Sequence, residues 1–197
     1  MIQFSVIIPA YNAENHIRKT LDSVKQQTFT NYELIVVCDS CTDNTEAIAK
    51  EYGAKTLTVN FHHSGYTRNA GLDIAQGRYV LFMDDDDWWL HEYVFEILNE
   101  KLNEGYIAPD ILFFSFIFKN VKYHNPEHGE YLPAFWNKCW RRGFIQDIRV
   151  EGEDAYEGDV EFQEKALAKN PKIVEWDMPL YYYNYMRPDS MSDKRGC

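Results

Sequence analysis

The sequence predicts an α/β fold, in which a mostly parallel sheet is flanked by helices on both faces. Two observations lead to this prediction. Through the first half of the chain, apolar runs of strand length alternate with segments whose apolar residues recur at helical spacing. The loops that follow three of these runs are polar, and two of the loops carry aspartates. Right-handed crossovers bring such loops to one edge of a parallel sheet, where ligands of open α/β sheets bind.

The first half contains four predicted strands, most of them apolar enough to be buried on both faces. They cover residues 4–10 (FSVIIPA), 32–38 (YELIVVC), 55–59 (KTLTV) and 78–83 (RYVLFM). The predicted helices cover residues 14–27, 42–53, 67–75 and 91–103. We expect Thr42 to cap the second helix and Gly53 to end it.

The second half is less regular. A long strand is predicted over residues 110–120, and an acidic stretch at 151–162 leads into a helix that ends near Lys169. Two strand-like segments follow, at residues 172–176 and 178–185. Because we find no internal repeat and no low-complexity linker, residues 1–197 are expected to form one domain.

Composition limits the classes of function. The chain has 197 residues, of which 45% are hydrophobic and 16% aromatic, so it can build a sizeable core. Its formal net charge of −11 argues against sequence-blind binding to nucleic acid, although it does not exclude a local basic site. No signal peptide and no apolar run of about 20 residues is found, so we expect no transmembrane segment. We expect a cytoplasmic protein and leave open a peripheral position at the inner face of a membrane.

The cysteines do not indicate a metal site. Cys38 and Cys41 form a C-x-x-C pair, but the sequence has no second such pair and no matching histidine pair to complete a zinc site. We therefore expect them to behave as small apolar residues.

The stretch VLFMDDDDWW places four consecutive aspartates, Asp84 to Asp87, directly after a predicted buried strand. Carboxylates this close repel one another, so a counter-charge or full solvation must compensate. In an extended segment Asp84 and Asp86 point to one face, and such a pair can share Mg²⁺ or Mn²⁺, which prefer oxygen ligands and keep positions open for phosphate oxygens. The alternative is a solvated acidic turn without a ligand.

Five segments, in this order, resemble the motifs of family 2 glycosyltransferases with the GT-A fold. They are SVIIPAYNAENHIRKTLDSVKQQTF, YELIVVCDSCTDNT, GYTRNAGLDIAQGRYVLFMDDDDWW, WNKCWRRGFI and PLYYYNYMRPDSMS. The resemblance implies a mostly parallel, Rossmann-like sheet with a small irregular acceptor-side region. Residues 1–105 would form the half that binds the nucleotide sugar, and residues 106–197 the half that binds the acceptor.

The same resemblance implies a set of donor-binding residues. Pro9, Tyr11 and Glu14 would line the site of the base and ribose, and Asp39 would accept a hydrogen bond from the ring N–H of a uracil. Cys38 departs from the pattern, because the family usually has an acid at this position. Further along the chain, the R-N-x-G motif is matched by Arg68 and Asn69, where a cation can neutralise a diphosphate.

Within the acidic stretch, Asp84 and Asp86 match the D-x-D pair of the family. The resemblance makes Asp86 the main ligand of Mn²⁺ or Mg²⁺, with Asp84 as a second ligand near the ribose or the sugar. Asp85 occupies the variable position, where it either contributes to the donor site or is solvated. Asp87 matches the third acid of the motif.

The family also implies a general base, an Asp in a late E-D motif just before a helix, which takes the proton of the acceptor hydroxyl. Two positions are candidates. Asp159 has the expected spacing to the following strand, although Gly158 stands in place of the usual Glu. Asp154, in Glu153-Asp154, keeps the letters of the motif but lies five residues earlier. We favour Asp159 and keep Asp154 as the second candidate.

The function expected from the resemblance is metal-dependent, inverting transfer of a sugar from a nucleotide diphosphate donor, with UDP favoured, to a hydroxyl acceptor. A glycan, a lipid-linked sugar and a small molecule all remain open as acceptors, and so does a homo-oligomer that completes the acceptor region. The alternative is a non-catalytic module that binds a nucleotide sugar. A nucleotidyltransferase is disfavoured, because the loop PAYNAEN has neither glycine nor a basic residue.

Overall fold

The computed structural model describes residues 1–123, 132–152 and 155–184. Nine strands and six helices are found in these residues. The strands are β1 (Phe4–Ala10), β2 (Tyr32–Asp39), β3 (Lys55–Val59), β4 (Tyr79–Phe82), β5 (Trp88–Trp89), β6 (Ile111–Phe118), β7 (Val121–Tyr123), β8 (Lys138–Arg141) and β9 (Ile173–Tyr183). The helices are α1 (Ile17–Lys25), α2 (Thr45–Glu51), α3 (Ser64–Ile74), α4 (Val94–Asn103), α5 (Arg142–Ile145) and α6 (Ala155–Ala168).

One sheet contains all of these strands, in the order β3-β2-β1-β4-β8-β6-β9-β5, with β7 paired to β6. The pairs β3–β2, β2–β1, β1–β4 and β6–β9 are parallel, and β8 runs antiparallel between β4 and β6. The predicted mostly parallel α/β sheet is therefore confirmed.

Helices cover both faces of the sheet, as the continuous apolar strands require. Alternate residues of β1 point to opposite faces: Val6 and Ile8 join the core under α1, α2 and α4, whereas Ile7 joins the core under α3, α5 and α6. Both cores are fully buried at these positions. With both faces of the sheet covered by helices, the loops at the ends of its strands remain as the place where a ligand site can form.

Two helix boundaries differ from the expectation. Helix α2 begins at Thr45 rather than Thr42, because Asp43 accepts the backbone N–H of Thr45 at 3.0 Å. Helix α3 begins at Ser64 rather than residue 67, because the Nδ1 atom of His63 accepts the backbone N–H of Tyr66 at 3.3 Å and caps the helix.

The second half differs more. Helix α6 begins at Ala155, so Asp159 lies inside the helix and the expectation that it directly precedes the helix is wrong. The two strand-like segments after residue 171 form one strand, β9, which bends where its register against β6 shifts on either side of Ser115. The second candidate base, Asp154, lies outside the described residues.

Within the described residues, no helix has the length and apolar character needed to cross a bilayer.

Candidate active site

Three polar loops meet at the carboxyl edge of the sheet, after β1, β2 and β4. The first two are joined by Glu14: its backbone N–H donates to Asp43 Oδ2 at 3.0 Å, and its Oε2 accepts the backbone N–H of Asn44 at 3.0 Å. The backbone N–H of Tyr11 donates to Asp85 Oδ2 at 3.3 Å, which joins the first loop to the acidic loop. Tyr11 itself is 57% exposed, so its ring is available to a ligand. Pro9 is buried within β1, opposite Val37.

Asp39, at the end of β2, is buried and heavily hydrogen-bonded. Its Oδ1 accepts the backbone N–H groups of Phe61 and His62 at 2.8 and 3.0 Å. Its Oδ2 accepts the N–H of His63 at 2.9 Å and the hydroxyl of Thr67 at 2.8 Å. Burial acts to raise the pKa of Asp39, but these donors outweigh it and the net pKa lies below its usual value. In the structure the carboxylate therefore organises the loop that leads into α3.

Arg68, on α3, is buried between two of the candidate carboxylates. Its Nη2 donates to Asp84 Oδ1 at 2.6 Å, and its Nη1 lies 3.9 Å from Asp159 Oδ1. Burial disfavours the guanidinium charge, but these two carboxylates outweigh it and raise the pKa of Arg68. Phe135 lies against the guanidinium, 4.9 Å from its carbon to the ring centroid. The structure thus brings Arg68, Asp84 and Asp159 together.

Asn69, which follows Arg68 on α3, contacts the backbone of Val150 and none of the candidate carboxylates that the structure describes. Its amide exchanges two hydrogen bonds with the backbone of Val150, as Nδ2 donates to the carbonyl at 2.8 Å and Oδ1 accepts the N–H at 3.0 Å. The Val150 side chain fills the space beside Gly65 on α3 and Gly158 on α6, where a Cβ would collide with it. This explains in steric terms why a glycine stands at position 158.

The four aspartates separate into distinct environments. Asp87 is fully buried, where its Oδ2 accepts the Tyr181 hydroxyl at 2.7 Å and its Oδ1 accepts the Asn184 N–H at 2.7 Å. Burial raises the pKa of Asp87 well above its usual value, and the charges of Asp84 and Asp86 raise it further. Asp85 is only partly exposed and lies 3.2 Å from His16 Nε2, so it is not simply solvated.

The acidic loop fits a divalent cation by the chemistry of its donor atoms. Asp84 and Asp86 are both partly exposed carboxylates, and their charges already disfavour ionisation of Asp87. In the described residues no group of three or more His, Cys, Asp or Glu side chains forms a closed metal site. Mg²⁺ is usually bound in proteins by one or two carboxylates together with waters and substrate phosphates, and Asp84 and Asp86 supply donor atoms of that type.

The residues after the aspartates serve packing. Trp89 is buried against Phe95 and Tyr181, and Trp88 stacks on Tyr182 at 4.1 Å between ring centroids, with the Lys19 ammonium over its face. The cysteines also pack as small apolar residues, since Cys38 is buried in the core and Cys41 lies against it.

Sequence reasoning missed several residues that hold the site. Tyr181 contacts two of the four aspartates, because its hydroxyl also accepts the Asp84 N–H at 3.1 Å. Lys138 is fully buried and donates to the carbonyls of Leu132 and Ala134, which shapes the turn that carries Phe135. Asp159 acts against the lowering of the Lys138 pKa by burial. The sequence feature that could have pointed to this residue is the position of Lys138 in the aromatic segment WNKCWRRGFI, where a charged side chain is unexpected.

The family model described as "Glycosyl transferase family 2" matches residues 5–154. The glycosyltransferase GlyA of Streptococcus pneumoniae is 29% identical over 225 residues, which cover 96% of this chain and 31% of that protein. The crystal structure of Staphylococcus aureus TarS 1–349 in complex with UDP-GlcNAc superposes with a TM-score of 0.83 at 26% identity, covering 96% of this chain and 60% of that one.

A more distant structure supports the fold alone. It is the mannosyltransferase PcManGT from Pyrobaculum calidifontis in complex with GDP-Man and Mn²⁺, with a TM-score of 0.72, 13% identity, and coverage of 98% of this chain and 59% of that one. The chain thus spans about a third of GlyA and less than two thirds of the TarS structure. The sheet order, the acidic loop behind β4 and the family match over most of the chain agree, and the chain belongs to glycosyltransferase family 2, with the GT-A fold.

Proposed function

We propose that the chain is a metal-dependent, inverting glycosyltransferase that moves a sugar from a UDP-linked donor to a hydroxyl acceptor. The observation that carries this proposal is the position of Arg68, which contacts Asp84 of the acidic loop and lies 3.9 Å from Asp159 on α6. A cation that can face a diphosphate and a carboxylate that can accept a proton are thereby held side by side. The family match and the UDP-GlcNAc complex of the similar TarS structure support the choice of donor.

The donor half is residues 1–105. The exposed ring of Tyr11 offers a stacking surface for the base, and Glu14 holds the loop on which it stands. Asp39 already accepts five hydrogen bonds from the protein, including one from the Ser40 hydroxyl at 3.0 Å. We propose that it shapes the base site through the loop at residues 61–63 and contacts only the edge of the uracil. Arg68 would stabilise the negative charge that builds up on the departing diphosphate.

Mn²⁺ or Mg²⁺ would be held by Asp86 and Asp84, and its chemistry there is to neutralise the leaving nucleoside diphosphate. That PcManGT, a protein of similar fold, was crystallised with Mn²⁺ supports the choice of metal and not the choice of ligands. The chain's own contribution is to keep these two carboxylates partly exposed while Tyr181 and Asn184 draw Asp87 into the interior.

The base is assigned to Asp159. Its side chain is 21% exposed, and its Oδ1 lies 3.9 Å from Nη1 of the buried Arg68, so a carboxylate is held beside the cation that would face the diphosphate. As the acceptor oxygen forms its bond to the anomeric carbon, the bond from that carbon to the phosphate oxygen breaks, and the hydroxyl proton passes to Asp159. Direct displacement of this kind inverts the anomeric configuration.

The test combines binding and turnover. UDP-, GDP- and dTDP-sugars are screened with Mn²⁺ for a rise in the melting temperature and for donor hydrolysis. Asp86→Asn should abolish the metal-dependent rise. Asp159→Asn should leave donor affinity within about twofold and reduce turnover by about 100-fold or more. Asp73→Asn, an exposed acid elsewhere on α3, is the charge-matched control and should match the parent chain.

Two outcomes would contradict the proposal. Metal-dependent binding of a UDP-sugar with no consumption of it would favour the non-catalytic module. Full turnover by Asp159→Asn would move the base to Asp154.

A further inference from the structure

A cavity with a polar lining lies at the opposite edge of the sheet from the candidate active site. Its volume is about 460 Å³, and its lining includes Arg78, Arg141, Arg142, Lys172, Asp110 and Ile107. Arg78, Asp110 and Lys172 come directly before strands β4, β6 and β9, and Arg141 ends the antiparallel β8. All of these positions lie at the amino edge of the parallel strands, whereas the aspartates follow the carboxyl ends.

The lining is strongly cationic in a chain whose net charge is −11. Asp110 compensates only Arg141: its Oδ1 accepts the Arg141 Nε at 2.8 Å, while its Oδ2 accepts the backbone N–H of Lys172 at 2.7 Å. Within the described part of the chain, the side chains of Arg78, Arg142 and Lys172 form no ion pair with a carboxylate. In the described residues, the Asp110 carboxylate is therefore the one acid in a lining that also carries Arg141 and three cations without an ion-pair partner.

The three cations are held in place by neutral groups. Arg142 Nε donates to the carbonyl of Gly77 at 2.7 Å, Lys172 Nζ donates to the carbonyl of Ile107, and Arg78 Nη1 lies 3.4 Å from Asn103 Oδ1. Each of them keeps further N–H donors after these contacts, since a guanidinium has five and an ammonium three. The three cationic side chains therefore line the cavity and retain hydrogen-bond donors that these contacts do not use.

The cationic side chains and the volume of the cavity indicate which kind of ligand it would take. Arginine forks bind phosphate oxygens in pairs, and lysine adds a point charge to the same group. A volume of about 460 Å³ lies within the usual range of small-molecule sites and exceeds what one phosphate fills. We propose that this cavity is a second, metal-independent anion site, which takes a ligand bearing a phosphate or diphosphate group.

Such a group has two sources, a soluble phosphorylated compound or the headgroup of an anionic phospholipid. The site shares no residue with the donor site and needs no divalent cation, so it stands or falls independently of the proposed transferase activity. It would offset the mutual repulsion of Arg78, Arg142 and Lys172 in the way that a cation would offset that of the aspartates.

The experiment is a calorimetric titration with inorganic pyrophosphate in low-salt buffer containing EDTA. The parent chain is compared with the double variant Arg78→Gln/Lys172→Gln and with Arg18→Gln/Lys25→Gln, which removes the same charge from exposed positions on α1. We expect the dissociation constant to rise about tenfold for each cation removed from the cavity. The charge-matched control should bind like the parent, and melting curves verify that all chains are folded.

A second variant, Arg142→Gln, should weaken binding in the same way. Equal binding by the cavity variant and the parent, or no binding by the parent at millimolar pyrophosphate, would overturn the proposal. If the site binds pyrophosphate, co-sedimentation with phosphatidylglycerol vesicles that the cavity variant loses supports the headgroup. Binding of pyrophosphate without co-sedimentation supports a soluble phosphorylated ligand.

Discussion

The side-chain amide of Asn69 and the backbone of Val150 exchange two hydrogen bonds, at 2.8 and 3.0 Å. This contact ties α3, which carries Arg68, to the segment that leads into α6, which carries Asp159. The distance between the guanidinium and the candidate base therefore depends on an amide that contacts neither of them.

Asn69→Ala should lower the free energy of unfolding by about 1–3 kcal/mol, because it leaves two buried backbone groups of Val150 without partners. Denaturant unfolding measures this change. Asn99→Ala on α4, where the exposed side-chain Oδ1 accepts a hydrogen bond from Asn103 at 3.2 Å, is the control and should cost less. If the proposed function holds, Asn69→Ala should also lower turnover more than donor affinity; a variant with parental stability would contradict the role of the amide.

The contact between Gly158 and Val150 predicts the sign of a substitution. In a helix interior, Gly→Ala normally stabilises by about 0.5–1 kcal/mol. At Gly158 the new Cβ would lie 2.5 Å from Val150 Cγ1, so we expect Gly158→Ala to destabilise instead, by about 1–3 kcal/mol. Thermal unfolding of Gly158→Ala and of the parent chain measures whether the substitution raises or lowers stability.

Gly143 provides a control for Gly158→Ala, and Val150→Ala is expected to restore part of the stability that Gly158→Ala loses. At Gly143 on α5 a Cβ would meet no atom within 4 Å, so Gly143→Ala should be neutral or stabilising. Val150→Ala should relieve part of the loss in Gly158→Ala. If Gly158→Ala and Gly143→Ala behave alike, the steric account of position 158 is wrong.

The Tyr181 hydroxyl is expected to stabilise the conformation of the acidic loop, residues 84–87. Tyr181→Phe removes the hydroxyl that donates to Asp87 at 2.7 Å and accepts from the Asp84 N–H at 3.1 Å. Because a buried carboxyl then loses one of its partners, the free energy of unfolding should fall by about 1.5–3 kcal/mol. Tyr182→Phe is the control, since its hydroxyl has only a 3.5 Å contact with Asn120 at the surface, and it should change stability by less than about 0.5 kcal/mol.

The environment of Asp39 predicts a dependence of stability on pH. Because its pKa is lower in the folded chain than in the unfolded chain, its contribution is fully present above the unfolded value of about 3.9. The contribution should disappear as the pH falls from about 4 through the lower, folded pKa. Asp39→Asn removes the charge, so the variant should be less stable at pH 7 and should lose less stability on acidification.

The measurement is the midpoint of urea unfolding at a series of pH values between about 2.5 and 7. Asp73→Asn serves as the control, since its exposed ion pair with Arg149 should contribute less than about 1 kcal/mol. Parallel pH profiles for the parent and Asp39→Asn would show that the backbone donors around this carboxylate do not lower its pKa.

Much of the fold follows from local pattern. The strands β1, β2 and β4 are continuous apolar runs, and α1 places Ile17, Leu21 and Val24 on one buried face. These signals depend on neighbours within a few residues, which is why the sequence predicts them well. The family model and the TarS superposition confirm the class of fold.

The rest depends on distant contacts. The start of α3 is set by the His63 cap, which the apolar periodicity does not show. The sequence predicts separate strands at residues 172–176 and 178–185, although pairing with β6 makes them one strand, Ile173–Tyr183. The sequence also does not distinguish Arg68, which lies between two carboxylates, from Asn69, whose amide holds Val150, because both belong to one motif.

Strand β9 lies between β6 and β5, although it follows them by many residues in the chain. During synthesis, the earlier strands therefore emerge from the ribosome before the strand that completes their sheet exists. Until residues 173–183 have emerged, the aromatic edge of β6 is uncovered and Asp87 lacks its Tyr181 partner. Nascent chains stalled before this point should be captured by chaperones, and folding of the acidic loop should be among the last events.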